Sequence, residues 1–275
     1  MKKQISNFKL YVRERFKYNL SYRNFFWFKK NKGLLFFNGQ NFGDYLSYII
    51  VGEIKLKYEL RRLNKRFLAL GSILHFAKTG DTIWGSGING KIPKSRFEFE
   101  DLDVRMVRGP LTKKILEEKG IKVSEIYGDP ALLMPTLFPN FKRKPIKGKN
   151  IIIPNLNELR LLQNLKIPKD FKLISPLKHW KYVVNEILTS ELVLASSLHG
   201  IIISEAFGVP VRFVMPSGGE TLLKYEDYYL GTGRKLKREP STFYNGIKKD
   251  MGLSMTPPKF NANIMLKSFP WDLFG

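Results

Sequence analysis

The segment ASSLHG at 195–200 contains the residues of this sequence best suited to bind an anion. An apolar strand is predicted to end just before the serines, and either serine can cap the helix that follows. The free N–H groups at a helix N-terminus attract negative charge. We therefore predict an anion site formed by Ser196, Ser197, His199 and Gly200, with a functional role for His199. The alternative is that His199 only packs against its neighbours.

Arg108 stands at a second junction, between a predicted strand at 104–107 and a predicted helix that opens with Pro110. A guanidinium at such a place can hold a carboxylate or a phosphate through two parallel hydrogen bonds. We therefore predict that Arg108 binds an anionic ligand and takes part in catalysis. The alternative is a surface ion pair with Asp101 or Asp103.

Two glycine turns are weaker candidates for the same site. Asn41 and Asp44 follow the first predicted strand, and Asp44 is expected to cap the next helix. Gly85 and Ser86 follow the third predicted strand, where glycine lets the backbone approach a ligand closely.

Acidic and aromatic residues supply further candidates for lining a ligand-binding cleft, including the part that would hold a second substrate. Asp129 precedes a proline and is either a turn residue or a carboxylate that faces the cleft. The sequence does not decide between Asp44 and Asp129 as general base. The segment 224–229, KYEDYY, is predicted to be a polar aromatic loop that suits sugar binding, or else a surface loop. Its candidate residues are Lys224, Tyr225 and Asp227.

The elements that must position these residues alternate between short apolar strands and helices. This alternation predicts mostly parallel sheets, with ligands bound at the carboxyl ends of the strands. Helices are predicted at 44–56, 110–120, 179–189 and 198–207, with another near 156. Strands are predicted at 34–37, 67–70, 82–84, 104–107, 151–153, 171–174, 192–195 and 211–214.

The predicted fold is of the α/β class, with two Rossmann-like domains and a cleft between them. A basic segment with proline and glycine at 139–149 marks the boundary. The first domain is predicted at 33–138 and the second at 150–250. Residues 1–32 form a basic aromatic segment, and 251–275 are expected to pack back on the first domain.

The composition limits the classes of function. The 275 residues include 47 lysines and arginines against 24 acidic residues, a net charge of +23 that suits an anionic partner. The basic and aromatic residues of 1–32 suit an anionic membrane surface, although they could also form a helix packed on the protein. No cysteine is present, which excludes disulfides and thiolate ligands. Without an apolar signal or membrane-spanning run, we expect a cytoplasmic protein. Binding of residues 1–32 to a membrane would make it peripheral at the inner membrane face.

The sequence contains no cluster with metal-ligand spacing, no phosphate-binding P-loop, no nucleophile elbow and no full dinucleotide fingerprint. We therefore expect neither a metal nor a cofactor, and no nucleic acid partner. His75 and His179 do not stand at a junction of a strand with a helix, and no role is predicted for them.

Five blocks together resemble the polysaccharide pyruvyl transferase family. They occur in the order of that family and span roughly residues 38–230: NFGDYLS, WGSGI, VRGPLT, YGDPALLMP and SSLHGIIISEAFGVPV. The resemblance implies a fold of the glycosyltransferase-B type, phosphoenolpyruvate as donor and a pair of sugar hydroxyls as acceptor, possessed by a bacterial surface glycan or its lipid-linked precursor. It also implies that Arg108 grips the donor and that His199 is a donor ligand and acid. Many members have an aspartate after the arginine, whereas Gly109 stands here.

Two other functions fit the sequence less completely. A glycosyltransferase of the same shape would use a nucleotide-sugar, and Glu205 could then bind the ribose hydroxyls. A non-enzymatic polyanion or membrane binder would account for the charge. That second alternative leaves the histidine and arginine at the two junctions unexplained.

Overall fold

The computed structural model describes residues 34–35, 41–61, 63, 65–159, 162, 166–216, 220–236, 243 and 256–274. The strands in these residues form two four-stranded sheets, and all neighbouring strands are parallel. This confirms the predicted α/β class, and each described strand overlaps a predicted one. The segment predicted at 1–32 lies outside the described residues.

Four strands and three α-helices lie in the first half of the described chain: β1 (Leu34–Leu35), α1 (Phe42–Lys57), β2 (Phe67–Leu68), β3 (Thr82–Trp84), β4 (Asp103–Met106), α2 (Pro110–Glu117) and α3 (Met134–Leu137). Their strands follow the order β1-β2-β3-β4. The predicted cap of α1 was wrong by three residues. Asn41 is the N-cap, and its side-chain oxygen accepts a hydrogen bond from the Asp44 N–H at 3.0 Å.

The second half contains β5 (Asn150–Ile153), β6 (Phe171–Leu173), α4 (Trp180–Leu188), β7 (Leu192–Ala195), α5 (Leu198–Ala206), β8 (Val211–Phe213), α6 (Leu223–Gly231) and α7 (Ala262–Lys267). Its strands follow the order β6-β5-β7-β8, so the direction of winding reverses between β5 and β7. In parallel sheets such a reversal leaves a crevice beyond the carboxyl ends of the two strands. Helix α5 begins at the predicted place because Ser197 is its N-cap.

One large hydrophobic cluster contains residues from both sheets. Helix α1 contributes Leu46, Ile50 and Ile54, which are fully buried at the four-residue spacing of one helix face. The same helix contacts α4 and α5, and the Phe42 N–H donates to the Pro176 carbonyl at 2.7 Å. Burial of each such side chain contributes about 1.5–3 kcal/mol to folding. Helix α1 therefore connects the two sheets through apolar packing.

The described part of the C-terminal segment, 256–274, packs on the first sheet. The Phe269 ring lies 5.0 Å from that of Trp84 in an edge-on arrangement, and the Trp84 indole N–H donates to the Met265 carbonyl at 3.1 Å. Among the described residues, no helix has the length and apolar character needed to cross a bilayer.

Candidate active site

A cavity of about 320 Å³ is lined by loops and by first turns of helices that follow strands of both sheets. From the first sheet, residues that follow β1, β2 and β3 contribute Asn41, Asp44, Ser72, Ile73, His75, Phe76, Asn89, Lys91 and Ile92. From the second sheet, residues that follow β5, β6, β7 and β8 contribute Asn155, Leu156, Asn157, Pro176, Ser197, Leu198, His199, Glu220 and Lys224. The cavity thus includes the crevice where the winding of the second sheet reverses.

His199 lies in the first turn of α5 and is in close contact with α1. A Cβ atom placed on Gly43 would lie 2.2 Å from His199 Nδ1, so only glycine at this position leaves room for the imidazole. On its other side, His199 Nε2 lies 3.7 Å from Asp129 Oδ2. Both atoms are buried, and neither has a hydrogen-bond partner among the described residues. The imidazole is therefore held between α1 and a buried carboxylate.

Of the two predicted bases, Asp44 lines the cavity and Asp129 does not. Asp129 is buried, and its Oδ1 accepts from the Ala131 N–H at 2.9 Å, as in a turn residue. Asp44 Oδ2 accepts from Asn41 Nδ2 at 2.8 Å. Burial raises the pKa of Asp44, and the nearby positive charges of His199 and Lys224 offset only part of this increase. Asp44 is therefore the carboxyl group better suited to exchange a proton with a ligand.

Three charged side chains form a bridge across the cavity wall. Glu220 accepts from Lys91 Nζ at 2.6 Å and pairs with Lys224 Nζ at 2.9 Å. Burial lowers the pKa of Lys224, and the positive charges of Lys91 and Arg108 lower it further. The pairing of Lys224 with Glu220 raises this pKa and so offsets part of the decrease. The bridge carries more positive than negative charge, which suits an anionic ligand.

The segment predicted as a polar aromatic loop is helix α6, so that prediction was wrong. Tyr225 and Tyr228 are both fully buried, three residues apart on one helix face. The Tyr225 hydroxyl donates to the Ser196 carbonyl at 2.6 Å, and Tyr225 does not line the cavity. Of the candidates in this segment, Lys224 alone is part of the cavity wall described here.

Arg108 is buried behind the cavity wall, with 1% of its side chain exposed. Its Nε donates to Asp227 Oδ2 at 3.1 Å, and its Nη2 donates to the Ile88 carbonyl at 2.7 Å. Its Nη1 donates to the hydroxyl of Ser72, which does line the cavity, at 2.8 Å. Arg108 therefore pairs with Asp227, and the alternative of a surface ion pair with Asp101 or Asp103 was wrong. The contact of Arg108 with a ligand stays a prediction.

Asp227 caps helix α2 from a distant part of the chain. Its Oδ1 accepts from the N–H groups of Leu111 and Thr112 at 2.9 and 3.0 Å, and its Oδ2 accepts from the Thr112 hydroxyl at 2.6 Å. A Cβ atom on Gly109 would lie 1.9 Å from the Asp227 carbonyl oxygen. The absence of a side chain at 109 thus lets α6 approach, and α6 supplies the carboxylate that pairs with Arg108.

The family model for polysaccharide pyruvyl transferase matches residues 3–218, which contain most of this site. The chain belongs to the polysaccharide pyruvyl transferase family. This confirms the resemblance carried by the five sequence blocks.

Two curated relatives and one solved structure are similar to this family member. The succinoglycan biosynthesis protein ExoV of Rhizobium meliloti is 28% identical over 73% of this chain and 65% of its own length. Protein L143 of Acanthamoeba polyphaga mimivirus is 27% identical over 60% of this chain and 59% of its own. The chain thus spans less than two thirds of either relative. A structure from Klebsiella pneumoniae aligns with a TM-score of 0.44 at 13% identity, over 72% of this chain and 86% of that one.

Several residues of the family blocks have partners within the protein and lie outside the cavity wall. Ser86 donates to the Ala69 carbonyl, and Ser196 donates to Glu158 while accepting from the Asn155 N–H. Gly85 lies against Pro130 at a φ of 92°, and Gly200 packs on Ile153. Ligand binding by these four residues, Gly85, Ser86, Ser196 and Gly200, stays a prediction, whereas Ser197 lines the cavity and caps α5.

Several residues that line the cavity of this pyruvyl transferase family member were not predicted from the sequence. His75 was given no role because it does not stand between a strand and a helix. It lies in a single 3₁₀ turn, Leu74–Phe76, that follows β2. The rule that ligands bind at the carboxyl ends of parallel strands could have identified that turn. The residues missed include Ser72, His75, Phe76, Asn89, Lys91, Asn155, Asn157 and Glu220.

We expect Gly43→Ala to displace the imidazole of His199, because the added methyl group would overlap Nδ1. Overpacking of this kind costs about 1–3 kcal/mol of stability. The chain has only three histidines, so the C2 proton of His199 can be followed by NMR. We expect its resonance to shift in Gly43→Ala. Gly52→Ala on the same helix, where a Cβ would meet nothing within 4 Å, is the control and should leave it unchanged. Equal spectra for both variants would contradict the contact.

We expect Asp227→Asn to lower the free energy of unfolding by about 3–5 kcal/mol, because Arg108 would remain buried without a counter-charge. Urea denaturation followed by circular dichroism measures this loss. The control is Asp103→Asn, which breaks a more exposed pair with Arg105 and should cost about 1 kcal/mol or less. Similar losses of unfolding free energy in the two variants would show that the buried pair does not stabilise the fold more than the exposed pair does.

Proposed function

We propose that the protein transfers the pyruvyl group of phosphoenolpyruvate to a sugar of a bacterial surface polysaccharide or of its lipid-linked precursor, forming a pyruvate ketal. Family membership and the similarity to a succinoglycan biosynthesis protein support a pyruvyl transferase that acts in polysaccharide synthesis. The observation that carries the proposal is a single cavity that combines Asp44, His199 and Lys224.

The reaction requires one proton donor and at least one proton acceptor. The enol carbon of phosphoenolpyruvate takes up a proton, and the first sugar hydroxyl attacks the central carbon while losing its proton. The bond from that carbon to phosphate then breaks, and the second hydroxyl attacks and loses its proton. Two hydroxyl protons are released and one proton is taken up by the enol carbon, so one proton remains and leaves on the phosphate; the products are the ketal and hydrogen phosphate.

The donor carries about three negative charges, and the cavity offers cations for them. We assign Lys91 and Lys224 to the phosphate and carboxylate groups, since Glu220 offsets only one of the two positive charges. A single pair of opposite charges 4 Å apart contributes about 4 kcal/mol at an effective dielectric of 20. Arg108 supports this side of the cavity through Ser72, and direct contact with the donor would require Ser72 to move.

His199 and Asp44 are proposed to carry out the proton transfers. His199 gives a proton to the enol carbon or to the departing phosphate, and the Asp129 carboxylate positions the imidazole. Asp44 accepts a proton from an attacking hydroxyl.

We further propose that the two sheets belong to Rossmann-like domains of the glycosyltransferase-B type. Residues 1–32 are proposed to bind an anionic membrane surface near a lipid-linked acceptor.

The nucleotide-sugar alternative loses the carboxylate that it needed. Glu205 accepts from Arg234 Nη1 and Nη2 at 2.6 and 2.8 Å and from the Tyr228 hydroxyl at 2.5 Å, and it does not line the cavity. Both of its oxygens are therefore engaged by the protein.

We expect phosphoenolpyruvate to raise the melting temperature of the protein and UDP or GDP to leave it unchanged, because a ligand stabilises the state that binds it. Incubation with phosphoenolpyruvate and candidate lipid-linked glycans should release phosphate. The sugar should gain the mass of one pyruvic acid less one water. Stabilisation by UDP or GDP without phosphate release would favour the glycosyltransferase instead.

We expect Asp44→Asn to reduce the turnover rate by about 10²–10⁴-fold, as for loss of a general base. Because burial raises the pKa of Asp44, wild-type activity should fall with decreasing pH at a higher pH than the usual aspartate pKa of about 3.9 would give. That acid limb should be absent from the residual activity of the variant.

A measurement of stability distinguishes the loss of catalysis in Asp44→Asn from misfolding. A raised pKa in the folded state contributes stability at low pH that is lost as pH rises through the raised value. Asp44→Asn should therefore not lower the melting temperature at neutral pH. Exposed Asp101→Asn is the matched control and should keep full activity. An unchanged pH profile in Asp44→Asn would remove this residue from the chemistry.

A further inference from the structure

We infer that the 3₁₀ turn with His75 and Phe76, together with Asn89, is the acceptor subsite, where a pyranose ring stacks on Phe76 and its hydroxyls bind the two polar side chains. The inference deepens the proposed function and rests on it for the identity of the acceptor. It begins from three features of these residues that the donor chemistry does not use.

The first feature is a partly exposed aromatic ring in the wall of the cavity. Phe76 is 42% exposed, whereas Phe42, Phe67 and Phe269 are each buried to 97% or more. Its ring stands beside that of His75, with 4.0 Å between centroids. Pyranose rings carry an apolar face of C–H groups that an aromatic side chain can cover, and such a ring in a pocket is a common ligand contact.

The second feature is a pair of buried polar atoms. His75 Nδ1 and Asn89 Oδ1 are both buried, and neither has a hydrogen-bond partner among the residues that the structure describes. Both residues line the cavity. A buried polar atom left unpaired costs free energy, so such atoms in a pocket indicate a ligand that completes their bonding. A sugar hydroxyl can both donate and accept, and it can therefore satisfy either atom.

The third feature is the charge of this part of the wall. Burial lowers the pKa of His75, and the positive charge of Arg96 lowers it further. The imidazole is therefore neutral near neutral pH and offers one donor and one acceptor. Neutral groups suit a sugar, whereas the trianionic donor is better matched by the lysines and His199. The two substrates are thus separated by charge within one cavity.

The turn is also held rigidly in place. Arg66 Nη2 donates to the Phe76 carbonyl at 3.0 Å, and the same guanidinium is bound by the buried Asp81 carboxylate. The Phe76 N–H donates to the Ile73 carbonyl at 2.9 Å. A platform fixed in this way loses little conformational freedom on binding, which favours affinity.

The test compares Phe76→Ala, Phe76→Tyr and His75→Ala with wild type. The control Phe260→Ala removes a ring of similar exposure, 37%, that does not line the cavity. Binding is first measured without donor, by NMR saturation transfer to the methyl glycosides of galactose, glucose, mannose and N-acetylglucosamine. We expect at least one sugar to bind wild type, Phe76→Tyr and Phe260→Ala, and to lose its signal in Phe76→Ala and His75→Ala.

Kinetics provide the second measurement. Phe76→Ala should raise KM for the glycan by about three- to tenfold, the loss expected for one aromatic contact, with KM for phosphoenolpyruvate unchanged. Failure of every sugar to bind, or an equal change in both KM values, would overturn the subsite. Sugar binding that depends on Phe76 in a protein that never turns over phosphoenolpyruvate would instead refute the proposed donor. Turnover that is unchanged in Phe76→Ala and His75→Ala would refute the acceptor subsite but not the proposed function.

Discussion

The buried pair of Arg108 and Asp227 is the constraint on which the arrangement of the cavity depends. Two opposite charges without access to water are stable only when every remaining donor and acceptor is engaged. Here the guanidinium also binds Ser72 and the Ile88 carbonyl, while the carboxylate receives the first N–H groups of α2. The pair thus fixes α6, and with it Lys224, against the loops that follow β2 and β3. Arg108, which was predicted from the sequence to bind an anionic ligand, thus also has a structural role in this fold.

The cavity combines groups of different electrostatic character because it collects loops from both sheets. Helix α5 and the residues before and within α6 supply His199, Glu220 and Lys224, and α1 adds the carboxyl group of Asp44. The loops of the first sheet add neutral groups, His75 and Asn89, together with Lys91. Burial moves the pKa of Asp44 upward and that of Lys224 downward, so both are more easily converted to their neutral forms than in water. These are conditions in which proton transfer between side chains and ligands costs little.

Much of the fold could be predicted because its signals are local. Apolar runs bounded by glycine and proline marked the strands, and Ser197 and Pro110 marked the starts of two helices. His199, Ser197 and Asp44 line one cavity, as expected if ligands bind beyond the carboxyl ends of the strands of both sheets. The partner of Arg108 could not be found in this way, since Asp227 lies 119 residues further along the chain. It also lies in a segment whose polar composition suggested a loop, although Tyr225 and Tyr228 have the spacing of a buried helix face. The role of His75 depends on a turn of three residues, which is too short for any periodic pattern.

The position of α1 limits how substrates can reach the cavity. The helix belongs to a cluster that contains residues of both sheets, and it contacts α4 and α5, so a wide hinge opening would bring apolar side chains of this cluster into water. Exposure of apolar surface costs about 25 cal/mol per Å², which makes such an opening expensive compared with rotation of surface side chains. We therefore expect entry through local rearrangement of side chains in the cavity wall, where the ion pairs of Glu220 with Lys91 and Lys224 would exchange partners. The rates of ligand entry and exit would then depend on ionic strength, while the packing between the two sheets stays unchanged.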